Sequence, residues 1–369
     1  PPSYEDRSRA AINGLVEALN NPAFLQVAGD RSGGQTGALQ SELTQLANNP
    51  AHNANDSVGL MQYVAQLASQ RAGLRQEAVA LEFINETIDA LDKYSALIPA
   101  KTGAAPGASL EEQVVGIGVE LKKHESGALI NDIIPNSPAS EGGLQKGDVI
   151  MGINNQNTAG MTLDQVANLI GGPSGSTVTL MINRNGGQGS VSLRRRSVYV
   201  SSVNGAQMLS NDVGYVRLKQ FSESAKADLE KNMLTLYRQG MRSLVLDLRG
   251  NPGGLLDQAI DISDLFLPSG HIVETRGRNS EDNSDATANW DKTWSTPVVL
   301  LVDGDSASAS EIFAAAIQEN GRGVIVGRKT YGKGTVQTHF PLRTISGELK
   351  LTTAKFYSPT GREMAGPPA

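Results

Sequence analysis

Three serines and one lysine are the residues of this 369-residue chain whose types and surroundings could support a reaction. Ser306, Ser308 and Ser310 alternate with alanine, and Lys333 stands between two glycines. A serine hydroxyl becomes a nucleophile when a base removes its proton, and a lysine becomes a base when its pKa falls from about 10.4. The simpler alternatives are helix caps for the serines and a solvated surface position for the lysine.

The elements around the serines favour the chemical interpretation. Residues 297–302 (PVVLLV) are apolar and β-branched, which is typical of a buried strand. Residues 312–319 (IFAAAIQE) predict a helix that ends at Asn320 and Gly321. The serines would therefore lie where a central strand passes into a helix, close to free backbone N–H groups and the positive end of the helix dipole. Such a position suits a nucleophile and an oxyanion.

Lys333 admits two interpretations. Residues 327–333 match the start of a phosphate-binding loop, G-x-x-x-x-G-K, but the next residue is Gly334 instead of Ser or Thr. Residues 335–340 then alternate like a strand, whereas a phosphate-binding loop opens a helix, so an ATPase or GTPase is disfavoured. In the other interpretation, Gly332 and Gly334 let the backbone bend and turn Lys333 inward, where burial lowers its pKa.

Composition excludes several classes of function. The net charge is −6, which provides no footprint for nucleic acid or an anionic membrane, and 194–196 (RRR), the basic cluster, is expected to be a solvated strand end. There is no cysteine, and the four histidines show no metal-ligand spacing, so neither a metal nor a cofactor is expected. No apolar run reaches the length of a membrane span. The chain starts with Pro1, which is expected of a processed form.

Changes in residue composition and pattern along the chain predict a multi-domain α/β protein with three parts. Residues 1–100 are expected to be helical, with one helical stretch over 57–92, and a linker is expected at 103–108. Residues 110–197 contain short strands, many glycines and one helix. From 198 to 369 strands and helices alternate, which predicts a largely parallel sheet with sites at the carboxyl ends of its strands. Within that part, 275–296 is expected to be a polar surface loop.

The middle part resembles a PDZ domain. The resemblance rests on 137–139 (SPA), 143–154 (GL-x-x-GD-x-I-x-x-IN), a helix at 162–170 and the order of the strands. Consecutive amides at Ile117, Gly118 and Val119 would bind a carboxylate, and a peptide would add as a strand beside 117–121. Leu163, Val166 and Ile170 are the candidate pocket walls. The alternative is a small β domain with a glycine turn.

Three further motifs resemble the C-terminal processing peptidases, or tail-specific proteases. They are 306–312 (SASASEI), 330–337 (TYGKGTVQ) and 247–254 (DLRGNPGG), and the PDZ-like part precedes them in the family's order. The resemblance implies a crotonase-like or Clp-protease-like core into which the PDZ-like domain is inserted. The family continues beyond the segment that matches 355–362, so a truncated chain or a different assembly is expected.

The resemblance implies a serine–lysine dyad without histidine. Its nucleophile would be Ser308 and its base Lys333, which follows Ser308 by 25 positions, the spacing of the family. Gln337 would orient the lysine, although a straight strand would separate the two residues by about 13 Å. The amides of Ala309 and of the Gly253–Gly254 turn would form an oxyanion hole.

The implied function is a serine endopeptidase that binds the C-terminal tail of protein substrates and then cleaves them. Its partners would be proteins with free apolar C-termini. An activating adaptor and a homo-oligomer are further candidates, and the implied location is extracytoplasmic, such as a bacterial periplasm. The alternatives are a catalytically silent PDZ scaffold that binds tails, and a Ser–His–Asp protease that uses His271 or His339.

Overall fold

The computed structural model describes residues 2–29, 36–99, 113–209, 212–289, 293–342 and 347–365. The expected linker at 103–108 lies outside these residues. The chain divides into two compact units. The first comprises 1–106, 277–282 and 335–355, and the second comprises 107–276, 283–334 and 356–369.

The helices and strands of the described residues follow the chain in this order. The helices are α1 (Tyr4–Ala18), α2 (Pro22–Ala28), α3 (Gly37–Leu46), α4 (Ala54–Ala72), α5 (Gln76–Asp89), α6 (Pro138–Glu141), α7 (Leu163–Ile170), α8 (Ala225–Arg238), α9 (Leu256–Asp264) and α10 (Ala309–Glu319). The strands are β1 (Ala96–Pro99), β2 (Gln113–Gly116), β3 (Val119–His124), β4 (Gly127–Ile133), β5 (Val149–Ile153), β6 (Gln156–Asn157), β7 (Thr177–Arg184), β8 (Gly187–Arg194), β9 (Arg196–Tyr199), β10 (Val203–Met208), β11 (Val213–Leu218), β12 (Ser243–Asp247), β13 (Gly270–Gly277), β14 (Ser284–Ala288), β15 (Val298–Val302), β16 (Gly323–Gly327), β17 (Thr335–Pro341) and β18 (Gly347–Tyr357).

The first unit joins the N-terminal helices to a small antiparallel sheet. Helices α1 to α5 bury one apolar cluster that includes Ile12, Leu43 and Phe83. The helical stretch expected over 57–92 is in fact two helices, because Gly73 at φ 67° ends α4 in the left-handed conformation that favours glycine. Strand β18 pairs antiparallel with both β1 and β17. The strand predicted at 335–340 is therefore confirmed.

The PDZ-like part of the second unit contains a sheet in the order β3-β4-β5-β7-β8, and β6 pairs with β5. Strand β3 is at the end of this order, so one of its edges is open to a further strand. Helix α7 begins where Thr162 and Gln165 cap each other reciprocally. The helix predicted at 162–170 is thus confirmed, and its buried residues join the core of the sheet.

The protease-like part of the second unit has a sheet in the order β10-β11-β12-β15-β16. The pairs β11–β12, β12–β15 and β15–β16 are parallel, as the alternation of strands and helices predicted. Helix α10 is buried from Ala309 to Ile317, which fits a helix that is apolar on all sides. The ring of Phe313 on this helix packs 5.8 Å from Phe266 and 6.3 Å from Phe221.

The expectation of a surface loop over 275–296 is wrong for residues 275–277 and 284–288, which lie in strands. Strands β13 and β14 form an antiparallel hairpin there, and a short 3-10 helix over Ser280–Asp282 lies in its turn. Polar residues in this hairpin pair across the strands, as Thr275 Oγ1 and Ser284 Oγ do at 2.8 Å, so polarity did not indicate a loop. Trp290, which belongs to the expected loop, lies outside the described residues.

Candidate active site

Ser308 occupies the turn between β15 and α10, and its backbone has φ 55° and ψ −115°. A positive φ is uncommon for a residue other than glycine and costs about 1–3 kcal/mol, so it persists only where the surrounding structure imposes it. The side chain projects from the start of the helix and is partly exposed. This backbone geometry presents a hydroxyl at the carboxyl end of a central parallel strand.

The two flanking serines are structural. Ser306 Oγ donates to the carbonyl of Leu248 at 2.8 Å, and Ser310 Oγ donates to the carbonyl of Asn251 at 3.0 Å. Both serines have no exposed surface, whereas Ser308 is partly exposed. The structure therefore distinguishes Ser308 from its neighbours, which fix the turn to residues 248–251.

The Gly253–Gly254 turn lies against Ser308. A Cβ atom placed on Gly253 would be 2.8 Å from Ser308 Cβ and 2.9 Å from the amide nitrogen of Ala309. The Gly253 amide donates to Asn251 Oδ1 at 2.9 Å, so Gly254 is the better candidate donor of the two glycines. Ala309 is the first residue of α10, where an amide has no acceptor within the helix. The Gly253–Gly254 turn and the amide of Ala309 are thus neighbours, and their role as an oxyanion hole stays a prediction.

The carboxylate of Asp303 fixes the turn that precedes Gly253 and Gly254. Asp303 Oδ1 accepts from the amides of Gly250 at 3.0 Å and Ser306 at 3.1 Å. Burial raises the pKa of Asp303, but these backbone hydrogen bonds outweigh burial and hold that pKa below its usual range. Asp303 is therefore ionised near neutral pH and joins the end of β15 to the turn after β12.

Glu311 connects the candidate nucleophile to the candidate base. Its Oε2 accepts from the amide of Ser308 at 2.8 Å and from the amide of Lys333 at 2.9 Å. Its Oε1 accepts from the amide of Gly332 at 2.7 Å. Only 7% of Glu311 is exposed, so these charge-assisted bonds are shielded from water. One carboxylate thus fixes the main chain of both turns, and this residue was missed in the sequence although the Ser308-x-x-Glu311 spacing suggested a capping box.

Glycines shape the turn around Lys333, as predicted. Gly332 has φ 87°, a left-handed conformation that favours glycine. Gly334 has no room for a side chain, because a Cβ atom there would lie 1.9 Å from the amide nitrogen of Ala365. The amide of Tyr331 donates to the carbonyl of Ser306 at 3.0 Å, which holds this turn next to the serine turn. The backbones of Ser308 and Lys333 are therefore neighbours.

Gln337 lies on β17 in the first unit. Its Nε2 donates to Thr335 Oγ1 at 2.8 Å and to Thr352 Oγ1 at 3.4 Å, so hydroxyl groups of its own sheet orient the amide. Its suggested role in orienting Lys333 stays a prediction.

Of the two candidate histidines, His271 lies at the end of α10 that is farther from Ser308. His271 pairs with Asp285, and the carbonyl of His271 accepts from Asn320, just past the C-terminal end of α10. Ser308 precedes the other end of this 11-residue helix, which is about 16 Å long. His339 pairs with Glu348 Oε1 at 2.7 Å within its own sheet. Across the described residues, no group of three or more His, Asp or Glu side chains could hold a metal ion.

The predicted carboxylate-binding turn precedes the open edge of β3. Gly118 has φ 78°, and the carbonyls of Ile117 and Gly118 accept from the amides of Ala139 and Ile134 at 2.8 and 3.0 Å. These bonds hold the turn on the strand and helix that follow it. Carboxylate binding by the amides of Ile117, Gly118 and Val119 stays a prediction.

The predicted pocket walls differ in exposure. Val166 and Ile170 on α7 are almost fully buried in the PDZ-like core, whereas Leu163 is only partly buried. A cavity of about 510 Å³ lies where β3 ends and before α7 begins, lined by Lys123, His124, Glu125, Gly160 and Met161. Leu163 is therefore the predicted wall with the most surface left for a ligand, and the role of all three residues stays a prediction.

The expectation of a solvated Arg194–Arg196 cluster is wrong for its middle residue. Arg195 is 6% exposed, and its guanidinium donates to the carbonyls of Ile170 at 2.7 Å and Leu169 at 3.0 Å. A cation at these carbonyls stabilises the C-terminal end of α7. Arg195 therefore supports the PDZ-like fold, whereas Arg194 and Arg196 are exposed as expected.

The described helices include none with the length and apolar character that a membrane crossing requires.

Two family models match this chain, one over its protease-like part and one over its PDZ-like part. The model of peptidase family S41 matches residues 212–367, and the PDZ domain model matches residues 108–183. The carboxy-terminal-processing protease of Bartonella bacilliformis is 37% identical over 291 residues, which is 77% of this chain and 66% of that protein. The carboxy-terminal processing protease CtpA of Bacillus subtilis is 33% identical over 272 residues, or 73% of this chain and 58% of that protein. The chain therefore spans less than two thirds of the length of these relatives.

A solved structure supports the fold. A putative S41 protease from Bacteroides fragilis superposes with a TM-score of 0.52 at 22% identity, covering 75% of this chain and 78% of that one. The mixed α/β architecture and the PDZ domain are thus confirmed. The protein thus combines a serine peptidase domain of family S41 with a PDZ domain.

Proposed function

We propose that the protein is a serine endopeptidase that cleaves protein substrates with Ser308 as nucleophile and Lys333 as general base. The observation that carries this proposal is the carboxylate of Glu311, which accepts from the amides of both Ser308 and Lys333. A buried group that fixes both turns at once keeps a nucleophile and a base in a constant relation. The strained backbone of Ser308 is a second support, since such strain concentrates at functional sites.

The proposed reaction is acyl transfer in two steps. Ser308 Oγ attacks the carbonyl carbon of the scissile peptide bond while neutral Lys333 Nζ takes its proton. The negative charge on the carbonyl oxygen is stabilised by the amides of Ala309 and Gly254. Lys333 then gives the proton to the leaving amine, and an ester to Ser308 remains. Water, deprotonated by Lys333, hydrolyses the ester and frees Ser308.

The PDZ domain would select the substrate. A free C-terminal carboxylate would accept from the amides of Ile117, Gly118 and Val119, and the tail would pair with the open edge of β3. Leu163, together with the edges of Val166 and Ile170, would contact the last apolar side chain. We propose proteins with free apolar C-termini as substrates and, from the family resemblance, a location outside the cytoplasm. An activating adaptor and self-association belong to the same proposal.

Two alanine variants test the dyad. Ser308→Ala and Lys333→Ala should each lower the rate at which an unfolded protein with an apolar tail is cleaved by at least about 10²-fold, because either change removes the activated nucleophile. Lys329→Ala, which removes an exposed lysine four residues before the base, should cleave at the wild-type rate. Wild-type cleavage by either dyad variant would show that the assignment is wrong. Tight tail binding without turnover by the wild type would instead identify a silent scaffold.

The pH dependence of cleavage offers a second test. Only neutral Lys333 can accept the proton, so kcat/KM should rise with pH through the pKa of the lysine. A flat profile from about pH 5 to 9 would contradict a lysine base.

A further inference from the structure

A hairpin near the end of the described chain rests on the turn that carries Lys333. We call residues 356–365 the strap. The amide of Met364 donates to the carbonyl of Phe356 at 3.0 Å, and Tyr357 pairs antiparallel with Glu363. Gly361 at φ 81° closes the turn between the two arms. Phe356 and Met364 are buried, so the strap is packed against the protein instead of standing in solvent.

The strap contacts the residue that follows Lys333. The amide of Phe356 donates to the carbonyl of Gly334 at 2.9 Å. On the other arm, Ala365 lies so close to Gly334 that a Cβ atom there would be 1.9 Å from the Ala365 amide nitrogen. Both arms of the strap therefore touch Gly334, and a shift of the strap would move the backbone next to the base.

Glu319 fixes the strap to helix α10. Its Oε2 accepts from the amide of Thr360 at 3.0 Å and from Thr360 Oγ1 at 2.8 Å, and its Oε1 accepts from Arg362 Nη2 at 2.7 Å. The side chain is 12% exposed. Burial alone would raise the pKa of Glu319, but the hydrogen bonds from the side chains of Ser358 and Arg362 and from Thr360 lower it to about 2. The carboxylate is thus charged over the whole working range of an enzyme.

The position of Glu319 is unfavourable for the helix itself. It is the last residue of α10, where the carbonyl end of the helix dipole repels a negative charge. Its hydrogen bonds from Thr360 and Arg362 offset this repulsion. The same helix begins immediately after Ser308, and its third residue, Glu311, fixes the amide of Lys333. Helix α10 is therefore tied to the Lys333 turn from both of its ends.

We propose that Glu319 is a positioning residue for the reaction and that it acts through the strap on Lys333. The tether from Glu319 to Thr360 and Arg362, and from the strap to Gly334, sets where the lysine turn stands relative to the helix that carries the nucleophile. This inference rests on the proposed roles of Ser308 and Lys333. A displacement of about 1 Å at a remote support can lower a rate by about 10²-fold, so the effect of losing the tether should be measurable.

Glu319→Gln tests the proposal, because the amide cannot accept from Thr360 and Arg362 as the carboxylate does. Three quantities are measured well below the melting temperature: kcat and KM for a tailed protein, and the rate at which a fluorophosphonate modifies the active-site serine. We expect both kcat and the modification rate to fall at least about 10-fold while KM stays within about twofold, since the PDZ domain is untouched. Wild-type modification by Glu319→Gln would overturn the proposal.

Arg322→Gln is the matched control. Arg322 lies beyond the same helix end, but its guanidinium donates to the carbonyls of Phe266 and Thr296 instead of the strap. It should lower the melting temperature and leave the modification rate unchanged. If the modification rate falls equally in Glu319→Gln and Arg322→Gln, the proposal is also overturned, because the cause would then be general destabilisation.

A second variant and one comparison keep the test decisive. If Glu319→Gln does not fold, Thr360→Ala removes one hydrogen bond to Glu319 and should lower the modification rate about two- to fivefold; no change would again refute the tether. If Lys333→Ala keeps full activity, the dyad itself is wrong. If Lys333→Ala is inactive while Glu319→Gln is normal, only the positioning role fails.

Discussion

Two turns in this molecule each contain a residue with a positive φ, but the residue types differ. Ser308 and Gly118 both have a positive φ, 55° and 78°, and both belong to turns whose backbone amides are proposed to bind a ligand. At position 118 the residue is glycine, which adopts this conformation without strain. At position 308 it is a serine, which does not.

In the proposed function, the two turns supply different chemical groups. Carboxylate binding by the PDZ domain needs only amides, so the turn can dispense with a side chain. Acyl transfer needs a hydroxyl at the turn itself, and the backbone of Ser308 must be forced into place. Glu311, Ser306 and Ser310 hold this backbone in place, because all three are buried and hydrogen-bonded to neighbouring backbone. In the proposed function, recognition would thus use an open strand edge, whereas the reaction would use a turn fixed by buried polar groups.

The largest effect is expected when the support of the serine turn is broken. Glu311→Gln keeps the size of the side chain, but one of its two oxygens becomes an NH₂ group that faces backbone donors. We expect kcat to fall at least about 10²-fold and the melting temperature to fall as well, because amides of Ser308, Gly332 and Lys333 lose a charged acceptor. Steady-state kinetics and thermal unfolding measure the two effects. The exposed Glu223→Gln is the control, and a wild-type kcat for Glu311→Gln would refute the supporting role.

A smaller effect is expected from the recognition turn. Gly118→Ala introduces a Cβ atom 2.4 Å from Ser137 Cβ at a positive φ. We expect KM for a substrate with a free tail to rise about 10-fold, equivalent to about 1.4 kcal/mol, with kcat nearly unchanged. Gly186 has a similar φ of 87° but open space around it. Gly186→Ala therefore introduces the backbone strain without displacing a neighbouring residue. If both glycine variants raise KM equally, or if kcat falls while KM does not, the turn has no specific role in binding.

The smallest effect concerns strain alone. Ser308→Gly and Ser308→Ala should both be inactive, but the glycine variant should be the more stable by about 1 kcal/mol, because glycine relieves the positive φ and loses part of that gain to its freer unfolded chain. Urea unfolding of the two variants measures the difference. An alanine variant that is equally or more stable would mean that the turn stores no strain.

Much of the core could be predicted from the sequence because its signals are local. The apolar run at 298–302 and the small residues after it indicated a strand, a turn and a helix, and the structure has all three. The glycines around Lys333 likewise indicated a bend. The break between α4 and α5 was missed because Gly73 lies within an otherwise helical pattern.

Other features depend on contacts that are distant in sequence. Glu311 reaches residues 21 and 22 positions away, and only the folded chain shows that its carboxylate serves two turns. Arg195 resembled a solvated residue because its acceptors, the carbonyls at the end of α7, lie 25 and 26 positions earlier. The hairpin of β13 and β14 was missed because exposed strands can be as polar as loops.

The most direct test of the account is the site and rate of covalent modification by a fluorophosphonate. Peptide mapping by mass spectrometry should place the adduct on Ser308 in the wild type, because this serine is partly exposed whereas Ser306 and Ser310 are buried and hydrogen-bonded. The rate in a folded Lys333→Ala variant should be at least about 10²-fold lower, since the serine has lost its base. An adduct on another serine, or an unchanged rate without Lys333, would contradict the serine–lysine dyad.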